Sequence, residues 1–94
     1  MTLGTLMIDL HLPDCRSLKQ KRSVLKRLSA RLRRDFNISV AEVEKQDLVQ
    51  SARLAVATVS NDRAFTNAVL SKVVDTVERE PACYLQDYVL EIVP

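Results

Sequence analysis

The chain has 94 residues, 47% of them hydrophobic and 28% charged, with a formal net charge of +2. This composition is typical of one globular domain spanning residues 1–94, and it excludes a disordered chain. Because there is no apolar run of about 18 residues, no signal-peptide pattern and only two cysteines, we expect a cytoplasmic protein with reduced thiols and no membrane contact.

The first third of the chain predicts a strand followed by a helix. Apolar and polar residues alternate over residues 5–12, which indicates a strand with one buried face. Ser17 and Gln20 have the spacing of a helix capping box. Apolar residues then recur with helical periodicity, which extends the predicted helix to about residue 34.

The middle of the chain predicts two strands. Residues 36–45 begin with apolar side chains at even positions, but the apolar phase changes near residue 41. This change indicates either a bulge or a strand that is half-covered on both faces. After a short turn, residues 51–59 again alternate between two apolar faces and predict a third strand.

The last third predicts a second helix and a fourth strand. Ser60 or Asn61 is the expected N-cap of this helix, and Pro81 follows its expected end. A final strand is predicted over residues 83–93. The predicted buried stripe of the helix is Phe65, Val69, Val73 and Val77, and one face of the final strand is Tyr84, Tyr88, Leu90 and Ile92.

The order of these elements predicts an α+β, ferredoxin-like βαββαβ fold. In this fold two helices cover one face of a four-stranded antiparallel sheet, and the first and third strands are central. The other sheet face has no helix to cover it. It carries Met7, Ala55, Ala57 and Val59, which are apolar enough to predict contact with a partner or a homodimer.

Basic residues are concentrated in the first predicted helix. Residues 16–34 contain nine of the 14 Lys and Arg residues and none of the 12 Asp and Glu residues. Arg22 and Lys26 are four residues apart, where like charges destabilise a helix by about 0.2–0.5 kcal/mol. Cations in a first turn also oppose the helix dipole. An anionic ligand therefore accounts for this helix better than stability does, and the alternative is a solvated charged face.

Five residues of this helix are candidate contacts for nucleic acid: Lys19, Lys21, Arg22, Lys26 and Arg33. All except Lys21 fall within a sector of about 60°, which makes a stripe roughly 20 Å long that could follow a phosphate backbone. Lys21 lies instead near the centre of the apolar stripe. Either its stem extends to solvent at the helix end, or its ammonium helps the first-turn amides to hold an anion.

No pattern in the chain predicts an enzyme, a cofactor or a metal. His11, Asp14 and Cys15 are close in sequence, but one His and one Cys without a second pair are a weak metal signal. The predicted central strands lack the aromatic residues on which many RNA-binding modules stack bases. The leading hypothesis is therefore contact with structured RNA through the first helix. The alternative is a protein-interaction or regulatory module that dimerises through the open sheet face.

Three segments carry a resemblance to a known family. These segments are residues 17–22 (Ser-Leu-Lys-Gln-Lys-Arg), residues 40–43 (Val-Ala-Glu-Val) with Gln46 and Asp47, and residues 59–62 (Val-Ser-Asn-Asp). They resemble the YlxP-like family of small bacterial proteins, whose function is unknown. The resemblance runs almost end to end. It implies a ferredoxin-like fold, a bacterial cytoplasmic setting and gene neighbours concerned with translation, including ribosome-binding factor A. The resemblance therefore extends the RNA hypothesis to ribosomal RNA or a ribosomal particle. It supplies no reaction and no catalytic residue.

Overall fold

The structure, a computed structural model, describes residues 1–94. The elements are β1 (Thr2–His11), α1 (Leu18–Asp35), β2 (Ser39–Glu42), β3 (Ser51–Ser60), α2 (Arg63–Glu78) and β4 (Tyr84–Val93). The strands pair in the order β2-β3-β1-β4, and every pair is antiparallel. The predicted ferredoxin-like fold with two central strands, β1 and β3, is therefore confirmed.

Both helices pack on one face of the sheet, where even-numbered residues of β1 and β3 point inward. A single cluster of 17 buried apolar residues fills the space between the helices and the sheet. Its fully buried members include Leu6, Ile8, Leu10, Leu32, Leu54, Leu70, Val73 and Val77. No helix is long and apolar enough to cross a membrane.

The cap of α1 is as predicted, whereas the start of α2 differs. Ser17 Oγ accepts a hydrogen bond from the backbone N–H of Gln20. In α2 the N-cap is Asp62, whose carboxylate accepts bonds from two first-turn amides. The predicted caps, Ser60 and Asn61, are wrong because the Ser60 hydroxyl bonds instead to the backbone N–H of Asp62 and to Thr66 Oγ1.

The buried face of α2 also differs from the prediction. Phe65 is 61% exposed, so the predicted stripe is wrong at this position. Thr66 and Leu70 point inward instead, toward the single glycine of the chain. A Cβ added to Gly4 would lie 2.8 Å from Leu70 Cδ1 and closer still to Thr66 Cγ2. The missing side chain therefore allows α2 to pack closely against β1.

The phase change that was predicted near residue 41 is not a bulge in β2. The four residues of β2 pair regularly with β3, and Glu42 occupies the inward position that the pattern assigns to an apolar residue. The register shift lies instead between β1 and β4, at Asp9 and Leu10. Because of this shift Tyr84 pairs with His11 and lies on the helix-free face. Tyr88 pairs with the inward-pointing Ile8, so the prediction that Tyr84 and Tyr88 share one face of β4 is wrong.

Candidate nucleic-acid interface

Three of the predicted contacts form a row of free cations on α1. Lys19, Arg22 and Lys26 are all exposed. None of their side chains makes a hydrogen bond or an ion pair within the chain. Seven residues of helix separate the first from the last, which corresponds to about 10 Å along the axis. The first turn of α1 contains no acidic residue that could offset these charges.

Arg33 extends the row and fixes its position relative to the sheet. One guanidinium nitrogen donates a hydrogen bond to the backbone oxygen of Val40, at a distance of 2.6 Å. This bond places the row along the side of α1 that lies next to the edge strand β2. A guanidinium has five N–H donors, so one internal bond leaves the others available to a ligand. We call Lys19, Arg22, Lys26 and Arg33 the α1 stripe.

The remaining arginines of α1 lie near carboxylates of the chain. Arg27 is 4.0 Å from a carboxylate oxygen of Glu80, while Arg31 and Arg34 both contact Asp35. All three arginines are substantially exposed, so these pairs are solvent-screened contacts of small energetic value. They nevertheless reduce the local positive charge on that side of the helix. The uncompensated charge is therefore concentrated on the α1 stripe.

Lys21 is not part of this surface, and its prediction as a nucleic-acid contact is wrong. Its side chain is fully buried. The ammonium donates hydrogen bonds to the backbone oxygens of Lys45, at 2.7 Å, and Leu48, at 2.6 Å. A carboxylate oxygen of Glu42 lies 2.9 Å away as an ion-pair partner, without the orientation of a hydrogen bond. The stem does not reach solvent and the ammonium holds no external anion, because protein groups enclose it.

Through these bonds Lys21 fixes the loop between β2 and β3, residues 43–50. Glu44 and Lys45 have positive φ angles of 56° and 54°, a conformation that non-glycine residues rarely adopt. Such a loop persists only when its surroundings hold it. Lys21 supplies two of the restraints, and the turn presents Gln46 and Asp47 to solvent. The first family motif, residues 17–22, thus contains two members of the α1 stripe, Lys19 and Arg22. It also contains Lys21, which anchors the turn that carries Gln46 and Asp47.

A second group of charges lies at one end of the helix-free sheet face. Arg53 donates two hydrogen bonds to the Asp9 carboxylate, at 2.6 and 3.2 Å, and a third to Glu44 at 2.8 Å. Lys45 Nζ is 3.7 Å from the same aspartate. The hydrogen bond from Arg53 lowers the pKa of Asp9 below its ordinary value of 3.8, although partial desolvation opposes this effect. These charges neutralise one another and leave no free cation here.

The single histidine lies against a backbone oxygen, and both cysteines are buried in the protein interior. His11 Nδ1 lies 3.1 Å from the backbone oxygen of Gln50. Cys15 and Cys83 are both buried free thiols. Burial, with smaller contributions from Glu80 and Cys15, raises the pKa of Cys83 to about 11. A thiol with this pKa is protonated near neutral pH, so Cys83 has little nucleophilic character.

Two comparisons of the sequence identify the family. Residues 3–89 match the family described as "Protein of unknown function (DUF503)". The chain is also 38% identical over 68 residues to the uncharacterized protein YlxP of Bacillus subtilis (strain 168). This alignment covers 72% of this chain and 74% of the Bacillus protein. The chain belongs to this family. The resemblance drawn from the three motifs is confirmed, and neither relative carries an assigned activity.

Solved structures support the fold. A de novo designed protein with a ferredoxin fold aligns with all of this chain and 87% of its own, with a TM-score of 0.58 and 10% identity. A variant of SnoaB, a cofactor-independent oxygenase from Streptomyces nogalater, aligns with 98% of this chain and 91% of its own, with a TM-score of 0.55 and 13% identity. At these identities the likeness shows the ferredoxin-like architecture that this DUF503 member shares with them, and nothing about chemistry.

Proposed function

We propose that this protein binds structured RNA by its phosphate backbone, through the α1 stripe. The observation that carries the proposal is that Lys19, Arg22 and Lys26 are exposed and have no carboxylate partner within the chain, although the chain contains 12 acidic residues. Exposed helices of stable proteins usually mix the two signs of charge, because opposite pairs four residues apart stabilise them. Uncompensated cations in a row favour an anionic ligand.

The geometry of α1 strengthens this electrostatic argument. The three free cations lie in the N-terminal half of the helix, where the backbone dipole adds further positive potential. Arg33 lies two turns beyond Lys26, so the full stripe covers about 21 Å of the helix axis. Its guanidinium is already oriented by the bond to Val40, which reduces the entropy lost when it binds a phosphate. Such a row can contact several successive phosphates.

The residues on the sheet favour structured RNA over single strands. Neither β1 nor β3 carries an aromatic side chain, so the two central strands offer no platform for stacking unpaired bases. Double-helical RNA is recognised mainly by shape and by contacts to phosphates and sugars. The family resemblance implies gene neighbours concerned with translation, which makes ribosomal RNA the first target to examine.

The proposal is tested by titrating the protein against a fluorescent RNA hairpin and against a single strand of the same base composition, at about 50 mM salt. We expect the hairpin to bind more tightly, because its phosphates keep a fixed spacing that a rigid helix can match. Equal binding of both RNAs would contradict recognition of structure, and no binding of either would leave the α1 stripe as a solvated charged surface.

A further inference from the structure

The helix-free face of the sheet is organised in rows of side chains that run across the four strands. In the strand order β4, β1, β3, β2, one row consists of Val89, Met7, Ala55 and Ala41. It therefore has two large side chains on one half and two methyl groups on the other. Val89 is 53% exposed and Met7 is 39% exposed. A groove of about 510 Å³ is lined by this row and by the adjacent row that contains Thr5 and Ala57.

The neighbouring rows have a related asymmetry. On one side of the first row, Glu91 and Thr5 occupy the β4 and β1 positions, and the smaller Ala57 and Ser39 occupy β3 and β2. On the other side, Asp9 of β1 lies opposite Arg53 of β3. In these three rows the β4–β1 half is therefore bulkier and more acidic, while the β3–β2 half is hollow and carries the arginine. Beyond them, Leu3 of β1 lies opposite the exposed Val59 of β3, so both halves are bulky in that row.

We propose that a second copy of this chain covers the helix-free face, related to the first by a two-fold axis that lies between the sheets and runs parallel to the strands. This axis stacks the β4–β1 half of each copy on the β3–β2 half of the other. Met7 then lies over Ala55 of the second copy, Val89 over Ala41, and Asp9 over Arg53. In the central row each large side chain meets a methyl group, and in the row beside it Asp9 meets Arg53. Because the interface is isologous, each of these contacts occurs twice.

The alternative symmetry does not give this complementarity. A two-fold axis perpendicular to the strands would place the bulky half of one face on the bulky half of the other. Met7 and Val89 would then meet large side chains, and the alanines would meet alanines across a void. Overpacking and voids each destabilise a contact. The distribution of sizes therefore selects the axis that is parallel to the strands, with the sheets about 10 Å apart as in a β-sandwich.

The size of the face is adequate for a dimer. Strands β1, β3 and β4 have ten residues each, so together they cover a flat area of roughly 14 by 34 Å, to which β2 adds a strip. Side chains give this face an accessible area larger than its flat projection. It therefore approaches the roughly 800 Å² per partner of a standard interface. The inference is independent of RNA binding, because α1 lies on the opposite face of the sheet.

Sedimentation equilibrium with matched variants tests whether this face is the interface. We expect the wild-type protein to be a dimer at about 100 μM. Ala55→Lys should make it monomeric, since a charge would be buried against the second copy's Met7. Ala68→Lys, on the exposed surface of α2, should leave the dimer intact. A strictly monomeric wild type would overturn the proposal and leave the face to a different protein. A dimer that survives Ala55→Lys would overturn it as well.

A size exchange between residues at opposite ends of the central row tests the axis, because Val89 and Ala41 are not neighbours within one chain. Val89→Ala leaves a void over the second copy's Ala41, and Ala41→Val places one valine against another. We expect each single variant to raise the dimer dissociation constant about tenfold or more. The double variant again pairs one large residue with one small residue, and it should return to within about threefold of wild type. Additive losses in the double variant would overturn the parallel axis.

Discussion

Lys21 Nζ lies 2.9 Å from Glu42 Oε2, so an inward lysine of α1 faces an inward carboxylate of β2. Each residue occupies a position where its element otherwise points an apolar side chain at the core. Alone, either charge would be costly to bury, and the pair with two loop carbonyls makes both positions tolerable. The contact links the start of α1, the end of β2 and the loop that follows it.

We predict that Lys21→Met destabilises the protein by about 2–3 kcal/mol. The substitution keeps the stem but removes the donor for two carbonyls and the partner of Glu42. Removing one member of a buried pair usually costs about 3–5 kcal/mol, and the smaller value is expected because the Glu42 side chain is 22% exposed and can take up water. Urea unfolding measures this change.

Arg22→Met is the matched control for this substitution. Arg22 is the next residue on the same helix, but it is exposed and has no internal partner, so its loss should change stability by less than about 0.5 kcal/mol. Hydrogen exchange should also be faster over residues 43–50 in Lys21→Met only. Equal stability of the two variants would show that the Lys21 ammonium is not enclosed in solution.

The Asp9–Arg53 contact predicts that part of the protein's stability to unfolding is lost at acidic pH. Because Arg53 lowers the pKa of Asp9 in the folded protein, the unfolded chain takes up the proton more readily. The resulting stability is fully present above the unfolded pKa, and it is lost as the pH falls through the lower folded pKa. Asp9→Asn should therefore be less stable than wild type near neutral pH, and the difference should shrink from about pH 5 downward.

Urea titrations of both proteins at several pH values measure this difference. Asp87→Asn is a suitable control, because Asp87 pairs with Asp9 across the β1–β4 ladder but is exposed and makes no ion pair. Its effect should not follow the same acid dependence. A difference between wild type and Asp9→Asn that does not change with pH would mean that the carboxylate is not held by Arg53.

Gly4→Ala should destabilise the protein by about 1–2 kcal/mol through overpacking. The new methyl group would overlap the Thr66 side chain, which is fully buried and has little rotamer freedom because it is β-branched. Thr66→Ser removes the obstructing methyl and keeps the hydroxyl that bonds to Ser60. We therefore expect Gly4→Ala to cost less in the Thr66→Ser background. Thermal unfolding of the four proteins checks this, and simple additivity would contradict a direct clash.

The periodicity of the sequence was sufficient to predict the order of the elements, the central strands and the cap at Ser17. These features depend on local alternation and on residues three apart, which a single sequence displays. The cap of α2 was missed because Ser60, Asn61 and Asp62 are all good capping residues. The choice among them depends on whether Thr66 lies over Gly4, which is a tertiary contact.

The role of Lys21 was beyond local reasoning, because its loop partners are 24 and 27 residues away. A signal for the ion pair was nevertheless present. Lys21 interrupts the apolar stripe of the first helix, and Glu42 interrupts the apolar alternation of the second strand. When a lysine and a glutamate both occupy core-facing positions, one on the first helix and one on the second strand, a buried ion pair explains them better than a bulge does. The rows on the helix-free face required the strand register, which no sequence pattern specified.

The salt dependence of RNA binding tests the central claim most directly. Four phosphate contacts from the α1 stripe predict that the logarithm of affinity falls with the logarithm of salt concentration with a slope of about −3 to −4. Lys26→Gln should make the slope less steep by about one unit, whereas Lys72→Gln, which alters an exposed and unpaired lysine of α2, should leave it unchanged. No binding at about 50 mM salt, or the same slope for wild type and Lys26→Gln, would contradict the account.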